Sequence, residues 1–384
     1  MNRRKIPKGL RDLLPEEVKQ RRHMERRVST LFQSYGYREI ATPTIEFLDV
    51  VEGGTGRNIR KELFLFMDRE GEVLSLRPEM TVSIARLAAT HLQGELPQRL
   101  YYNANVFRHV QPHLAQYREF WQMGIELLGA SGAWADAEVI SVAVKSLLAL
   151  GLDDFKISLN QIGIFNSLLE DSRLEQAERE EIRRLVEDKD LVALSALLDG
   201  LAIDDGLKES IARLPVLHGG LEILQQVPYL EKNRKAEQAA LELKKVYEAL
   251  QVCGVIGNIV VDMGVLRGLD YYTGIVFEGY SPELGYGLLG GGRYDRLLGE
   301  FGLDAPATGF ALGMDRLALV LKSQGQEPTR YLIGGNNLPK MVLEADRLRG
   351  RGWIVEVEME GLPRQLLETK LKGRSDYLLL YIDD

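Results

Sequence analysis

Cysteine is almost absent from this chain: Cys253 stands alone among 384 residues, beside only five histidines and three tryptophans. A single thiol can form no intrachain disulfide and cannot supply a cysteine-based zinc site. The histidines are His23, His91, His109, His113 and His218. Only His109 and His113 stand four apart, and the intervening Val110-Gln111-Pro112 holds no glutamate and a helix-breaking proline. No metal site is expected, and the scarcity of thiols fits a reducing, cytoplasmic setting. No apolar run approaches the roughly 18 residues that a membrane span requires. The basic start Met1–Pro7 has no apolar stretch behind it, so no signal peptide is expected. Three nucleotide and hydrolase signatures are also missing: the G-x-x-x-x-G-K-[ST] loop, the G-x-S-x-G elbow and the dinucleotide G-x-G-x-x-G. No cofactor is expected.

What is present is ordinary globular material. Hydrophobic residues make up 45% and charged residues 27%, which excludes a disordered or fibrous chain. The length suggests two or three domains. Acidic side chains outnumber basic ones, 56 to 48, for a net charge of −8. That weighs against a dedicated nucleic-acid binder, whose phosphate contacts need basic surface.

Hydrophobic spacing predicts a helix over 16–35, with Val18, Met24, Val28, Leu31 and Phe32 near one face. Its basic cluster, Lys19, Arg21, Arg22, Arg26 and Arg27, reads as a solvated face rather than a patch for an acidic partner. A proline-interrupted strand is expected over 38–46, and a hairpin over 63–76 around Asp68-Arg69-Glu70-Gly71. A helix is expected over 78–92, strands over 100–108 and 119–128, and a helix over 135–150. Residues 160–250, rich in Leu, Ala, Glu, Lys and Arg, read as an all-helical insertion. Strands return at 259–263 and 275–280, and a helix is expected over 310–321. Gly290-Gly291-Gly292-Arg293-Tyr294, taken alone, reads as a tight turn. The tail, 330–384, alternates as βαβαβ, a small parallel unit.

Several polar segments are dense in groups that bind small charged molecules. Leu76-Arg77-Pro78-Glu79-Met80-Thr81 sets a cation, a carboxylate and a hydroxyl at a helix start, where helix capping is the plain explanation. Alternation over Gln116–Glu126 places Phe120, Gln122, Gly124 and Glu126 on one strand face. A face that mixes carboxylate, amide and ring suits an amine-bearing ligand with a flat part. Arg267-Gly268-Leu269-Asp270-Tyr271-Tyr272-Thr273-Gly274 adds a cation and two phenols in one short loop.

Together with Pro7–Asp12, Thr42–Glu46, Phe107-Arg108, Gly290–Asp295 and Gly309–Leu317, these segments resemble the histidyl-tRNA synthetase family, in that family's order, over residues 1 to about 320. The resemblance implies an α+β fold: a class II aminoacyl-tRNA synthetase-like antiparallel sheet core over 1–320, with the helical insertion at about 160–250. A short, truncated anticodon-domain-like α/β region would follow over 321–384. It also implies a homodimer formed around the segment near Pro43. By the same resemblance Glu79 and Thr81 hold an α-amino group, and Gln122 and Glu126 face the amino acid. Arg108 meets its carboxylate or an adjoining phosphate, Arg267 sits near the carboxyl end, and Tyr271 and Tyr272 line the imidazole side. Phe120 and Arg316 would sandwich adenine.

The sequence departs from that pattern in the nucleotide half. Val110 stands where the family has an acidic residue, Gln116 where it has arginine, and Met80 where it has glycine. A retained histidine pocket beside an eroded ATP site resembles the regulatory-subunit branch of this family, which serves ATP phosphoribosyltransferase. That branch implies a non-catalytic chain in a hetero-oligomer with the short-form catalytic subunit. Free histidine would act as feedback effector in histidine biosynthesis, with no catalytic residues here and no tRNA binding. The alternative is an active histidyl-tRNA synthetase.

Overall fold

The computed structural model describes residues 4–55, 57–111, 116–266, 271–321, 329–374 and 376–382. The chain divides into two compact units, Met1–Leu321 and Lys322–Asp384.

The first helix runs Pro15–Ser34 and buries Met24, Val28 and Phe32. Proline opens it, where a missing N–H costs nothing, and the Leu14 amide donates to Glu17 at 2.9 Å. Its basic residues are engaged within the chain. Arg21 donates to Asn105 Oδ1 at 2.8 Å and lies 4.3 Å from the Trp121 ring centre. Arg22 pairs with Glu25, and Arg27 donates to the Ala149 carbonyl at 2.6 Å.

A nine-stranded sheet organises the first unit. Its order is Arg38–Glu39, Gln98–Phe107, Glu119–Leu128, Ala307–Gly313, Leu284–Arg293, Ile275–Ser281, Lys156–Gln161, Ile259–Asp262 and His218–Gly219. Neighbours from Gln98–Phe107 through Lys156–Gln161 are antiparallel. Parallel pairs occur only towards the edges, at Arg38–Glu39 and at Ile259–Asp262. Helices Pro15–Ser34 and Ala133–Ala149 pack with this sheet in one large core that contains Phe32, Val142, Phe277 and Phe310.

Two expectations about glycine-bearing segments fail. The helix expected over 310–321 is a strand, Ala307–Gly313, followed by a shorter helix, Met314–Val320. The Gly290–Tyr294 segment is no turn, for Gly290–Arg293 lie inside the strand Leu284–Arg293. The reason is close approach. A Cβ on Gly292 would stand 2.5 Å from the Ile275 carbonyl oxygen and 2.9 Å from the Tyr272 ring. Glycine here lets backbone and ring come together.

The expected hairpin forms, but as part of a second sheet ordered Ile45–Phe47, Val73–Leu76, Leu65–Met67, all antiparallel. Its outer residues are apolar and exposed: Phe47 is 52% and Met67 68% accessible, with Ile45, Leu65, Phe66 and Val73 beside them. Glu46 points the other way, buried, and takes two hydrogen bonds from Arg86 at 3.0 and 2.7 Å.

The segment expected as an insertion carries helices Ile162–Asp171, Gln176–Glu187, Leu191–Gly200, Asp205–Arg213 and Arg234–Val252. Asp190, Asp204 and Asn233 cap the last three by accepting backbone N–H bonds. It is not wholly helical, because His218–Gly219 adds a short edge strand to the main sheet.

The second unit is the expected βαβαβ. Its parallel sheet is ordered Ile354–Val357, Arg330–Gly335, Tyr377–Ile382, joined by helices Leu338–Arg349 and Arg364–Lys370. Ile333, Met341, Ala345, Leu348 and Val355 form its small core. Among the described residues no helix is long and apolar enough to cross a membrane.

Candidate functional site

The residues expected to bind an amino acid converge, with one exception, on a single pocket of the first unit. Glu79, Thr81, Arg108, Gln122, Glu126, Tyr271 and Tyr272 all line it, around an empty volume of about 430 Å³. Arg267 lies outside the described residues. The central strands supply the floor: Gln122 and Glu126 sit two steps of alternation apart on Glu119–Leu128. Arg108 follows the strand Gln98–Phe107, and Thr81 begins the helix Thr81–His91.

The carboxylates are already engaged. Glu79 accepts the Thr81 amide at 2.8 Å and the Val82 amide at 2.7 Å. It therefore satisfies two of the orphan donors at the start of that helix. The capping explanation for this cluster is met by this one side chain, which also lines the pocket. Thr81 Oγ1 donates to Glu126 Oε1 at 2.9 Å. The Tyr294 hydroxyl donates to the other Glu126 oxygen. Arg108 Nε donates to the Pro78 carbonyl at 3.0 Å.

Burial governs the protonation of these groups. It pushes the Glu126 carboxyl up to about 8; the hydroxyls of Tyr294 and Thr81 pull it down and the nearby Glu79 pushes it further up. Burial raises Glu79 too, against the two backbone amides that favour its anion. Tyr271 and Tyr294 are held well above the usual phenol range by burial and by neighbouring phenols and carboxylates. The aromatic wall is compact: Tyr271 lies 4.8 Å from Tyr272 and 5.7 Å from Tyr294, centre to centre. The arrangement offers buried carboxylates for an ammonium, a cation for an anion, and an amide and phenols for a flat polar ring.

Tyr294 is a pocket-lining residue that the sequence reading did not select. Its signal was alternation: Gly290, Gly292 and Tyr294 follow one another on or just beyond one strand. Gly309 is a second. It sits opposite Glu126 in the sheet register, and a Cβ there would collide with the Glu126 carboxylate and the Ile125 carbonyl.

A second cleft opens from the first and shares Arg108, Gln122, Gly290 and Ala311 with it. Phe120 and Arg316 line it, as do Val110 and Gln116. Arg316 donates to the Gly287 carbonyl at 2.7 Å, with Tyr286 5.7 Å away. Asp315 braces the cleft, accepting the Trp121 amide and Arg11, each at 2.6 Å. The flat groups suited to a purine are thus present, but the side chain at 110 is an aliphatic one.

Residues 9–317 match the family described as Histidyl-tRNA synthetase. The chain is 42% identical to an ATP phosphoribosyltransferase regulatory subunit of Moorella thermoacetica, over 96% of each protein. The chain belongs to the histidyl-tRNA synthetase-like family that includes the ATP phosphoribosyltransferase regulatory subunits. It is also 38% identical to a histidine–tRNA ligase of Methanocaldococcus jannaschii, over 97% of this chain and 88% of that protein. A crystal structure of an ATP phosphoribosyltransferase regulatory subunit/histidyl-tRNA synthetase from Bacillus halodurans superposes with a TM-score of 0.89 at 32% identity, covering 100% of this chain and 99% of the other. The class II synthetase-like α+β fold follows from both the family match and this superposition.

Proposed function

We propose that this chain is the non-catalytic regulatory subunit of an ATP phosphoribosyltransferase and that its first pocket binds free histidine as feedback effector. The observation that carries the reading is the convergence of Glu79, Thr81, Gln122, Glu126, Tyr271 and Tyr272 around one small pocket. An amino acid's ammonium would take up the carboxylates, and its imidazole would lie against the phenols. The regulatory-subunit relatives support the role; Val110 and Gln116 in the adjoining cleft support loss of adenylate chemistry, which needs charge stabilisation at phosphate.

In this reading the chain is a homodimer joined through the exposed sheet that includes Ile45–Phe47, within a hetero-oligomer with the short catalytic subunit. That subunit carries all the phosphoribosyl chemistry and needs this chain for activity. Histidine shifts the complex only to the extent that it prefers one arrangement over another. The 321–384 region would correspond to part of an anticodon-binding domain, and tRNA is not a ligand.

Calorimetric titration of histidine tests the pocket: the wild-type chain binds and Glu126→Ala does not. Unchanged binding by the variant would remove this pocket from the proposal. Co-purification with the short catalytic subunit, with activity measured with and without this chain, tests the role. The second reading is an active synthetase. It is favoured by Phe120 and Arg316 in the second cleft and by the histidine–tRNA ligase relative. Robust histidine-dependent ATP–pyrophosphate exchange would establish it in place of the first.

A further inference from the structure

A third concavity lies on the far side of Tyr272, between the sheet core and the helical insertion, with an empty volume of about 720 Å³. Its lining is unusual for an acidic chain, because three arginines face it: Arg179, Arg183 and Arg296. Arg179 and Arg183 stand four apart on the helix Gln176–Glu187, so they share one face of it. Arg296 approaches from the core, just beyond the strand that ends at Arg293.

Arg179 and Arg183 are oriented without being neutralised. Arg183 donates to Asn166 Oδ1 at 2.8 Å and lies 5.5 Å from the Phe165 ring centre. Arg179 Nε donates to the Leu174 carbonyl at 2.7 Å. Among the described residues, no carboxylate lies within ion-pairing distance of any of the three, whereas many of the chain's other arginines are paired. The acidic residue in the lining, Glu170, is held by Lys235 at 2.7 Å. The Asn166 amide adds a neutral donor on the same wall.

We propose that this cleft is an anion site for a small phosphorylated molecule, separate from the amino-acid pocket and sharing with it only the Tyr272 wall. Like charges brought together in a concave surface repel unless an anion joins them. Guanidinium forks match phosphate oxygens in pairs, which favours phosphate over a single carboxylate. The two halves of the cleft belong to different parts of the unit, so an occupant would bridge insertion and core.

The test uses the full chain and inorganic pyrophosphate as probe, followed by calorimetry at fixed ionic strength, with phosphate and a short RNA duplex as further arms. Pyrophosphate binds the wild type, and Arg296→Ala weakens it at least tenfold. Arg183→Gln weakens it similarly, and Arg296→Lys retains part of the affinity. Histidine titrated into the same Arg296→Ala sample binds as in the wild type. That control separates this site from the amino-acid pocket and shows that the variant is folded. Failure of the wild type to bind pyrophosphate or phosphate would overturn the proposal. So would binding by Arg296→Ala and Arg183→Gln as tight as the wild type's, or binding confined to the RNA duplex.

Discussion

The Thr81 hydroxyl donates to Glu126 across 2.9 Å, tying the first residue of a helix to a carboxylate in the middle of the main sheet. Tyr294 holds the other oxygen of the same carboxylate. Replacing Glu126 by glutamine keeps a similar shape and removes the charge. A charge-assisted hydrogen bond to an ammonium contributes about 1.5–3 kcal/mol. Histidine binding to Glu126→Gln should therefore weaken roughly 10- to 150-fold, read by calorimetry, with the circular dichroism spectrum unchanged.

Proton release should accompany that binding. With its carboxyl raised to about 8, Glu126 is mostly protonated at pH 7 in the empty pocket. An incoming ammonium favours the anion, so the proton leaves. Calorimetry in buffers of different ionisation enthalpy should show net release near pH 7 that vanishes in Glu126→Gln. The same shift has a stability consequence. The group's folded pKa lies above the ordinary carboxylate value of 4.5. Its contribution is therefore complete below about pH 4.5 and is lost as pH rises through about 8. Histidine should offset part of that loss on the alkaline side, visible as a larger rise in Tm at pH 8 than at pH 6.

Gly309→Ala should damage the same site from beneath. The added methyl would meet the Glu126 carboxylate and the Ile125 carbonyl. Overpacking of this kind costs about 1–3 kcal/mol, measurable by urea unfolding, and histidine titration should show no binding.

Arg293 and Asp136 form an ion pair at 2.8 Å with both side chains nearly buried. Removing only the cation strands the carboxylate in the interior. Arg293→Met should destabilise the chain by about 3–5 kcal/mol, and Arg293→Met combined with Asp136→Leu should recover much of the loss. Denaturant midpoints for the three variants check this.

The small outer sheet gives a test of association. Phe47→Asp and Met67→Asp place charges on an apolar face that is largely accessible in the single chain. Sedimentation should find the wild type dimeric and the double variant monomeric; a dimeric variant would locate the contact elsewhere.

Much of this arrangement could be read before the fold was known, for physical reasons that differ by element. Helix Pro15–Ser34 was legible because its apolar residues repeat at helical spacing. Strands Gln98–Phe107 and Glu119–Leu128 were legible because polar and apolar residues alternate. The segment after Gly309 was misread because apolar residues continue on both sides of Gly313, broken by the charged pair Asp315-Arg316. Only the pairing of Gly309 opposite Glu126 makes its first half a strand. Gly290–Gly292 looked like a turn because the need for glycine arises from Tyr272 and the neighbouring strand, distant in sequence. Gln122 and Glu126 stood out as polar groups on a strand face beside Phe120, and Glu79 and Thr81 as part of a polar cluster at a helix start. Tyr294 did not, since an aromatic residue after glycines signals nothing until its hydroxyl meets Glu126.

One helix links two surfaces that have been described apart. Thr81–His91 begins against the pocket, where Glu79 secures its first amides, and one turn further along Arg86 grips Glu46 on the outer sheet. A guest that draws on Glu79 would pull on the side chain that anchors this rod at its root, a disturbance in polarisation if not in position. Because the rod is also fastened at Arg86, the disturbance has a rigid lever to travel along. A neighbouring molecule seated on the outer face would then be able to feel whether the chamber behind it is full.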